Sequence, residues 1–287
     1  MIINNRTIRP DAGRCPTVVG IVLFVFWITF CGSAPNATQT KQGTVAKASD
    51  EDSFEILPAK VHQHVILADQ LAGAGKYDEA IAEYRAAIKE AGQPVFTAYL
   101  NMGSVYFYQQ NNAAAIDAYR QALAIKPNSW RAHYNLAESL YASDQYAEAE
   151  KEYRSVLRLQ SGALSIRAHH FLGLALYKQG RIDEAIAEYR TAIDKAEGKY
   201  AEARYNFGIS LLEQKKPAEA EQQFKLALEQ EKKPWPEAQY NLAKAIEAQT
   251  RYREAADAYE IYLKLAPDAE DAKRMREYID YLRRRKN

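Results

Sequence analysis

Four asparagines, Asn101, Asn135, Asn206 and Asn241, recur along the chain at steps of about 35 residues or twice that. A primary amide presents a donor and an acceptor side by side, the complement of one peptide unit of an extended backbone. A row of such amides at a fixed repeat can hold a peptide without reading its side chains; equally, each can be fixed by local hydrogen bonds. Catalytic chemistry is harder to find. His62 and His64 are two apart, which directs them to different faces of a helix and makes them poor joint metal ligands. The sequence has no glycine-rich phosphate loop, nucleophile elbow or metal motif. Both cysteines, Cys15 and Cys31, precede residue 60, so the remainder holds no thiol, disulfide or cysteine-based zinc site. These residues predict a protein that is not an enzyme, with no catalytic residue, no metal and no cofactor.

Amides at an even spacing require elements that repeat. The stretch Tyr77-Asp-Glu-Ala-Ile-Ala-Glu-Tyr-Arg-Ala-Ala-Ile88 returns almost unchanged as Ile182-Asp-Glu-Ala-Ile-Ala-Glu-Tyr-Arg-Thr-Ala-Ile193. Looser copies keep its small residue and following aromatic at Ala115/Tyr119, Ala149/Tyr153, Ala220/Phe224 and Ala255/Tyr259. With Ala80 and Ala185, the six alanines advance in steps of 35, 34, 36, 35 and 35. A fixed period of this size predicts a solenoid whose units stack, each burying a face it cannot bury alone. Within the first unit, Val61 to Ala74 has helical apolar spacing, Gly75-Lys76 breaks it, and a second helix resumes at Tyr77 with Asp78 and Glu79 in its first turn. Pro127, Pro234, Pro236 and Pro267 punctuate the junctions, and Pro217 opens a second helix. The expected units are 61–94, 96–129, 130–163, 166–199, 201–234 and 236–269. Beyond them, 270–287 reads as a capping helix with Ala272, Met275, Ile279 and Leu282 on one face, ending in the basic tail Arg283 to Lys286.

Residues 1–33 read as a signal peptide or membrane anchor. Arg6, Arg9 and Arg14 precede an uncharged apolar run, Val18 to Phe30, and the small residues Gly32, Ser33 and Ala34 follow it. The run is short for a spanning helix. Cys31-Gly-Ser resembles a bacterial lipoprotein signal, which implies lipidation of Cys31, although Phe30 replaces the small residue of that pattern; a cleaved or retained secretory signal is the alternative. The arginines place the body across the membrane from the cytoplasm, so the chain is expected to be exported, either periplasmic or tethered to the membrane. Residues 34–57 read as a flexible linker that carries a glycosylation sequon at Asn36. Apolar residues at 47% and charged residues at 26% are ordinary for a folded body, and a formal net charge of +1 argues against nucleic acid as a partner.

The first helices carry a recurring pair, Leu67-Ala68, Met102-Gly103, Leu136-Ala137, Leu172-Gly173, Phe207-Gly208 and Leu242-Ala243, always a large residue and then Gly or Ala. With the Gly-x-Tyr/Ile-x-Glu-Ala-aromatic pattern of the second helices, these units resemble tetratricopeptide repeats over residues 61–269. The resemblance implies an all-α, right-handed superhelical solenoid of about six helix-turn-helix repeats plus a C-terminal capping helix. It also implies a scaffold that binds a protein or peptide segment in the groove lined by the first helices. On that pattern the four asparagines face the groove, with Ile66 and Phe171 breaking the series, as in the asparagine ladder of the repeat portion of O-linked N-acetylglucosamine transferases. Tyr134, Tyr141, Tyr177, Tyr205 and Tyr240, with Leu100, Phe107, Tyr108 and His170, are neighbouring candidates, either as peptide anchors or as packing between helices. His64, His133 and His169 fall where the family places a large packing residue, which implies a structural role. Val65, Asp69, Arg131 and Asn135 stand where the family's chaperone-tail clamp needs a different set, so a chaperone carboxylate is not the expected ligand. A subunit of an envelope assembly using its outer surfaces is the alternative function; oligomeric state is left open.

Overall fold

Thirteen α-helices and no strand occupy residues 55–285, the part of the chain described by the computed structural model. These residues belong to the larger of two compact units, Ala48–Asn287. The arginine-flanked apolar run, Cys31, the sequon, most of the linker and the last two residues lie outside the described part. The helices pair as six hairpins, α1 Ala59–Gly73 with α2 Tyr77–Ala91, α3 Phe96–Tyr108 with α4 Asn112–Ile125, and α5 Trp130–Ala142 with α6 Tyr146–Leu159. They continue as α7 Ala163–Lys178 with α8 Ile182–Lys195, α9 Ala201–Glu213 with α10 Pro217–Gln230, and α11 Pro236–Glu247 with α12 Tyr252–Leu265, before the final α13 Ala272–Arg284.

The large-then-small pair on each first helix explains the close approach within a hairpin. A Cβ added to Gly103 would lie 2.6 Å from the Tyr119 ring; at Gly173 it would meet Tyr189 at 2.6 Å, and at Gly208 Phe224 at 2.7 Å. The small residue thus makes room for the aromatic of the same unit, so helix spacing and ring position are set together. These aromatics and the repeated alanines form the core: Tyr84, Tyr119, Tyr153, Tyr189 and Phe224 are among the largest fully buried side chains.

Each hairpin turns through one residue in the left-handed region, Gly75, Gln110, Asp144, Gly180, Lys215 and Thr250, with φ between 57° and 76°. In the first five units the next residue's N–H reaches back to the helix end, as in Lys76 N to Leu71 O at 2.9 Å and Arg181 N to Leu176 O at 3.0 Å. This is the Schellman closure, which satisfies carbonyls the helix would otherwise leave unpaired. Only Gly75 and Gly180 adopt that backbone without a Cβ penalty.

Four of the five junctions between hairpins share one recurrent contact. A glutamine at the end of a first helix donates to an acid on the second helix of the preceding unit: Gln109 to Asp78 at 2.9 Å, Gln179 to Glu150 at 3.0 Å, Gln214 to Asp183 at 2.5 Å and Gln249 to Glu221 at 2.7 Å. Two latches carry an arginine as well, Arg181 to Glu150 at 2.5 Å and Arg251 to Glu221 at 2.6 Å. At the start of the described residues, Glu55 accepts from Phe96 N at 3.2 Å and from both Thr97 N and Thr97 Oγ1 at 3.0 Å. A residue preceding α1 therefore caps α3, where orphan N–H groups and the helix dipole favour a carboxylate.

Candidate peptide-binding face

The asparagines of the first helices are bonded across the junctions between units. Asn101 Nδ2 donates to Asp69 Oδ1 of the first unit at 2.9 Å, and the buried Tyr84 hydroxyl donates to the same oxygen. The Asn135 amide hydrogen-bonds the Tyr119 hydroxyl, which itself donates to Ser104 Oγ at 3.1 Å. Asn206 Nδ2 donates to His170 Nε2 at 2.9 Å and Asn241 Nδ2 to the Tyr205 hydroxyl at 3.0 Å, each also reaching its own helix backbone at 3.0 Å. All four are half-buried, so each amide joins two units while keeping part of its surface open.

The series breaks at the fourth unit, where Phe171 replaces asparagine. Its ring stacks on Tyr153 with centroids 6.0 Å apart and 15° between planes, and meets Tyr134 edge-on at 6.2 Å. Phenylalanine offers no amide to the tyrosine beneath, and the Tyr153 hydroxyl is buried with no hydrogen-bond partner; the Tyr134 hydroxyl is in the same state. Burial, followed by the nearby Glu138 charge, holds both phenols well above their ordinary pKa. Glu138 lies one turn beyond Tyr134 on α5 and is half-buried. Desolvation raises its carboxyl to about 7, against the opposing pull of Tyr134 and of Arg167 on α7.

The predicted tyrosines divide by setting. Tyr134 packs against Tyr153, with centroids 6.1 Å apart, and against Phe171. Tyr205 lies 5.9 Å from Phe224 and 4.8 Å from Trp235, and Tyr240 lies 5.6 Å from Tyr259 and 5.3 Å from Tyr262. These three are anchored in ring clusters. Tyr141 and Tyr177 are half-buried, Tyr141 edge-on to Tyr146 at 5.3 Å and Tyr177 donating to Glu213 at 3.0 Å. His170 is buried, and burial with Arg167 lowers it to about 4. It is therefore neutral, and Nε2 accepts the Asn206 amide while Nδ1 lies 2.9 Å from the Tyr200 hydroxyl.

The periodic histidines link the two helices of a unit. His64 Nδ1 lies 2.6 Å from Glu83 Oε2, His133 2.5 Å from Glu152 and His169 2.6 Å from Glu188, a constant separation in sequence of 19 residues. At His133, burial alone would depress the imidazole, but its hydrogen bonds to Glu152 and to Pro127 O outweigh it and raise the pKa. Sequence reasoning missed these glutamates and Glu138. Aligning the units would have exposed both: the glutamates recur with the histidines, and Glu138 shares its column with Asp69, Ser104, Leu174, Ile209 and Lys244. Among the described residues no group of histidine, cysteine, aspartate or glutamate is placed to hold a metal ion, and no helix is long and apolar enough to cross a membrane.

The family model described as tetratricopeptide repeat matches residues 66–129, 100–163 and 172–235, and a second model of the same description matches 237–269. Together these matches span well over half the chain. No curated protein matches the sequence. Among solved structures, the chain is similar to PilW, a widely conserved type IV pilus biogenesis factor, at 20% identity and a TM-score of 0.65, covering 75% of this chain and 98% of that one. It is also similar to Pseudomonas aeruginosa pilF, at 15% identity and 0.61 over 80% of this chain and 99% of that one. YrrB, a protein with an unusual peptide-binding site, matches at 22% identity and 0.55 over 68% of this chain and 97% of that one.

Proposed function

The chain belongs to the tetratricopeptide repeat family, and from that premise we propose that it is a non-enzymatic scaffold binding an extended protein or peptide segment along its first helices. One observation supports this most: half-buried asparagines occupy the same register on the first helices of four units, each bonded to the unit before it. Such side chains are already ordered before a ligand arrives, which lowers the entropy cost of gripping it. The sequence-stretch 1–33 supports export of this scaffold, with Cys31 as the lipidation point of a tethered form; mass spectrometry of the mature N-terminus distinguishes a lipidated Cys31, a cleaved signal and an intact Met1.

The test is the triple substitution of Asn135, Asn206 and Asn241 by Ala, assayed against a library of extended peptides displayed to the full chain. Because all three also bond the preceding unit, the melting temperature should fall by several degrees. Peptide retention at a temperature where the variant remains fully helical should fall about tenfold or more; unchanged retention there would leave the amides as mortar alone. A second reading, an assembly factor of a cell-envelope complex working through its outer surfaces, is motivated by the signal-like segment and by the role of PilW, whose likeness to this chain is one of fold. It predicts that partner binding survives the triple substitution and fails on changes to the second helices.

A further inference from the structure

The carboxyl of Glu138 occupies a position that two other units treat differently. In the first unit the equivalent Asp69 receives two donors, the Tyr84 hydroxyl and the Asn101 amide. In the second, Ser104 accepts from Tyr119, which also meets Asn135. At the third, Phe171 has taken the place of the donating asparagine and the Tyr153 hydroxyl beneath is unpaired. Glu138 is thus an acid of the same column that has lost the second-helix hydroxyl and the next unit's amide as donors and keeps only Tyr134 of its own helix beside it, with Arg167 acting on it through space. On its own helix it shares one stripe with Tyr134, four residues before it, and Tyr141, three residues after. Tyr108, at the end of α3 and stacked on Tyr77 with 8° between planes, is near enough for the Glu138 charge to act on its phenol. The Tyr134 ring itself is 6% exposed, with its hydroxyl oxygen unpartnered.

A half-buried carboxyl among tyrosines suits a positively charged side chain, which gains from the carboxylate, from ring faces and from a hydroxyl lone pair. Resting on the peptide-groove reading above, we propose that Glu138, with Tyr108, Tyr134 and Tyr141, forms a pocket for a lysine or arginine side chain of the bound segment. The proposal supplies specificity that the amides, which address only backbone, do not. Arg167 does not pre-empt the site: it acts on Glu138 through space and contributes less than desolvation does. The charge of an arriving cation would offset the cost of that desolvation, and the carboxyl would give up its proton on binding.

The experiment is a positional-scanning library of extended peptides, selected on the full chain and on Glu138→Gln, with Tyr141→Leu as a second variant. The expected result is a preference for Lys or Arg at one peptide position, roughly fivefold to tenfold over norleucine, lost in Glu138→Gln and weakened in Tyr141→Leu. For a selected Lys peptide, affinity should rise between pH 6 and pH 8 and plateau. The groups facing Glu138 are Tyr108 from α3, Tyr119 from α4, Tyr134 on α5, Tyr153 from α6 and Arg167 from α7. Burial holds their phenols protonated throughout that range, so the rise belongs to the carboxyl. Selected peptides with no cationic preference, or a preference intact in Glu138→Gln, would overturn the pocket and leave the groove reading standing. Selection of no peptide at all would overturn both.

Discussion

The hydroxyls of Tyr119 and Tyr153 occupy equivalent places in neighbouring units and have opposite fates, one bonded to Ser104 and Asn135, the other buried without a partner. A satisfied buried hydroxyl is worth about 1 kcal/mol, whereas an unsatisfied one carries a desolvation cost. Tyr119→Phe should therefore lower stability by about 1 kcal/mol while Tyr153→Phe leaves it unchanged or raises it; paired chemical denaturation curves compare the two directly. The difference is set by what stands on the first helix of the next unit, Asn135 in one case and Phe171 in the other. That the asparagine series breaks at Phe171 is visible in the sequence. Its consequence is not, because the hydroxyl that loses its partner lies on a different helix of the preceding unit. Glu138 was illegible for the same reason: its position in the column is plain, but the withdrawal of its donors is a property of packing.

At the scale of the helix and its turn, the sequence was far more informative. Six hairpins and a closing helix follow from a period that returns six times, and the Gly-or-Ala position on each first helix marks where an aromatic ring must fit. The turns were only half legible. Gly75 and Gly180 announce the left-handed residue, but Gln110, Asp144, Lys215 and Thr250 adopt the same backbone without the sequence saying so. Thr250, at φ 63°, is the least suited, since a β-branched side chain crowds the backbone there. Thr250→Gly should stabilise the protein by about 0.5–1 kcal/mol, the relief of left-handed strain offset in part by the greater freedom of glycine in the unfolded chain. A rise in thermal midpoint without change in helical content is the expected reading.

For the repeat body taken whole, the junctions are unequal. A linear array exchanges energy only between neighbours, so its cooperativity depends on the weakest junction. The third–fourth and fifth–sixth junctions each hold a largely buried acid, Glu150 or Glu221, with glutamine, arginine and a second basic residue gathered on it. The first–second and fourth–fifth junctions carry the glutamine latch on an exposed aspartate. Arg251→Ala removes one partner of Glu221, whose side chain is 8% exposed, and should loosen the sixth hairpin and α13 selectively. Native-state hydrogen exchange should show protection falling about tenfold in residues 236–284 with the first three units unaffected; a uniform fall would mean the array unfolds as one body.

The Glu55 clamp gives this array an unusual mechanical entrance. A load applied through the N-terminal segment would reach the carboxylate that grips Phe96 and Thr97 before it reached α1. Tension would pass by a shear contact of three hydrogen bonds into the second hairpin, and the first would be shunted rather than peeled from its end. A scaffold held from that side would keep its outermost unit in register under pull, presenting an unbroken row of first helices to whatever it holds.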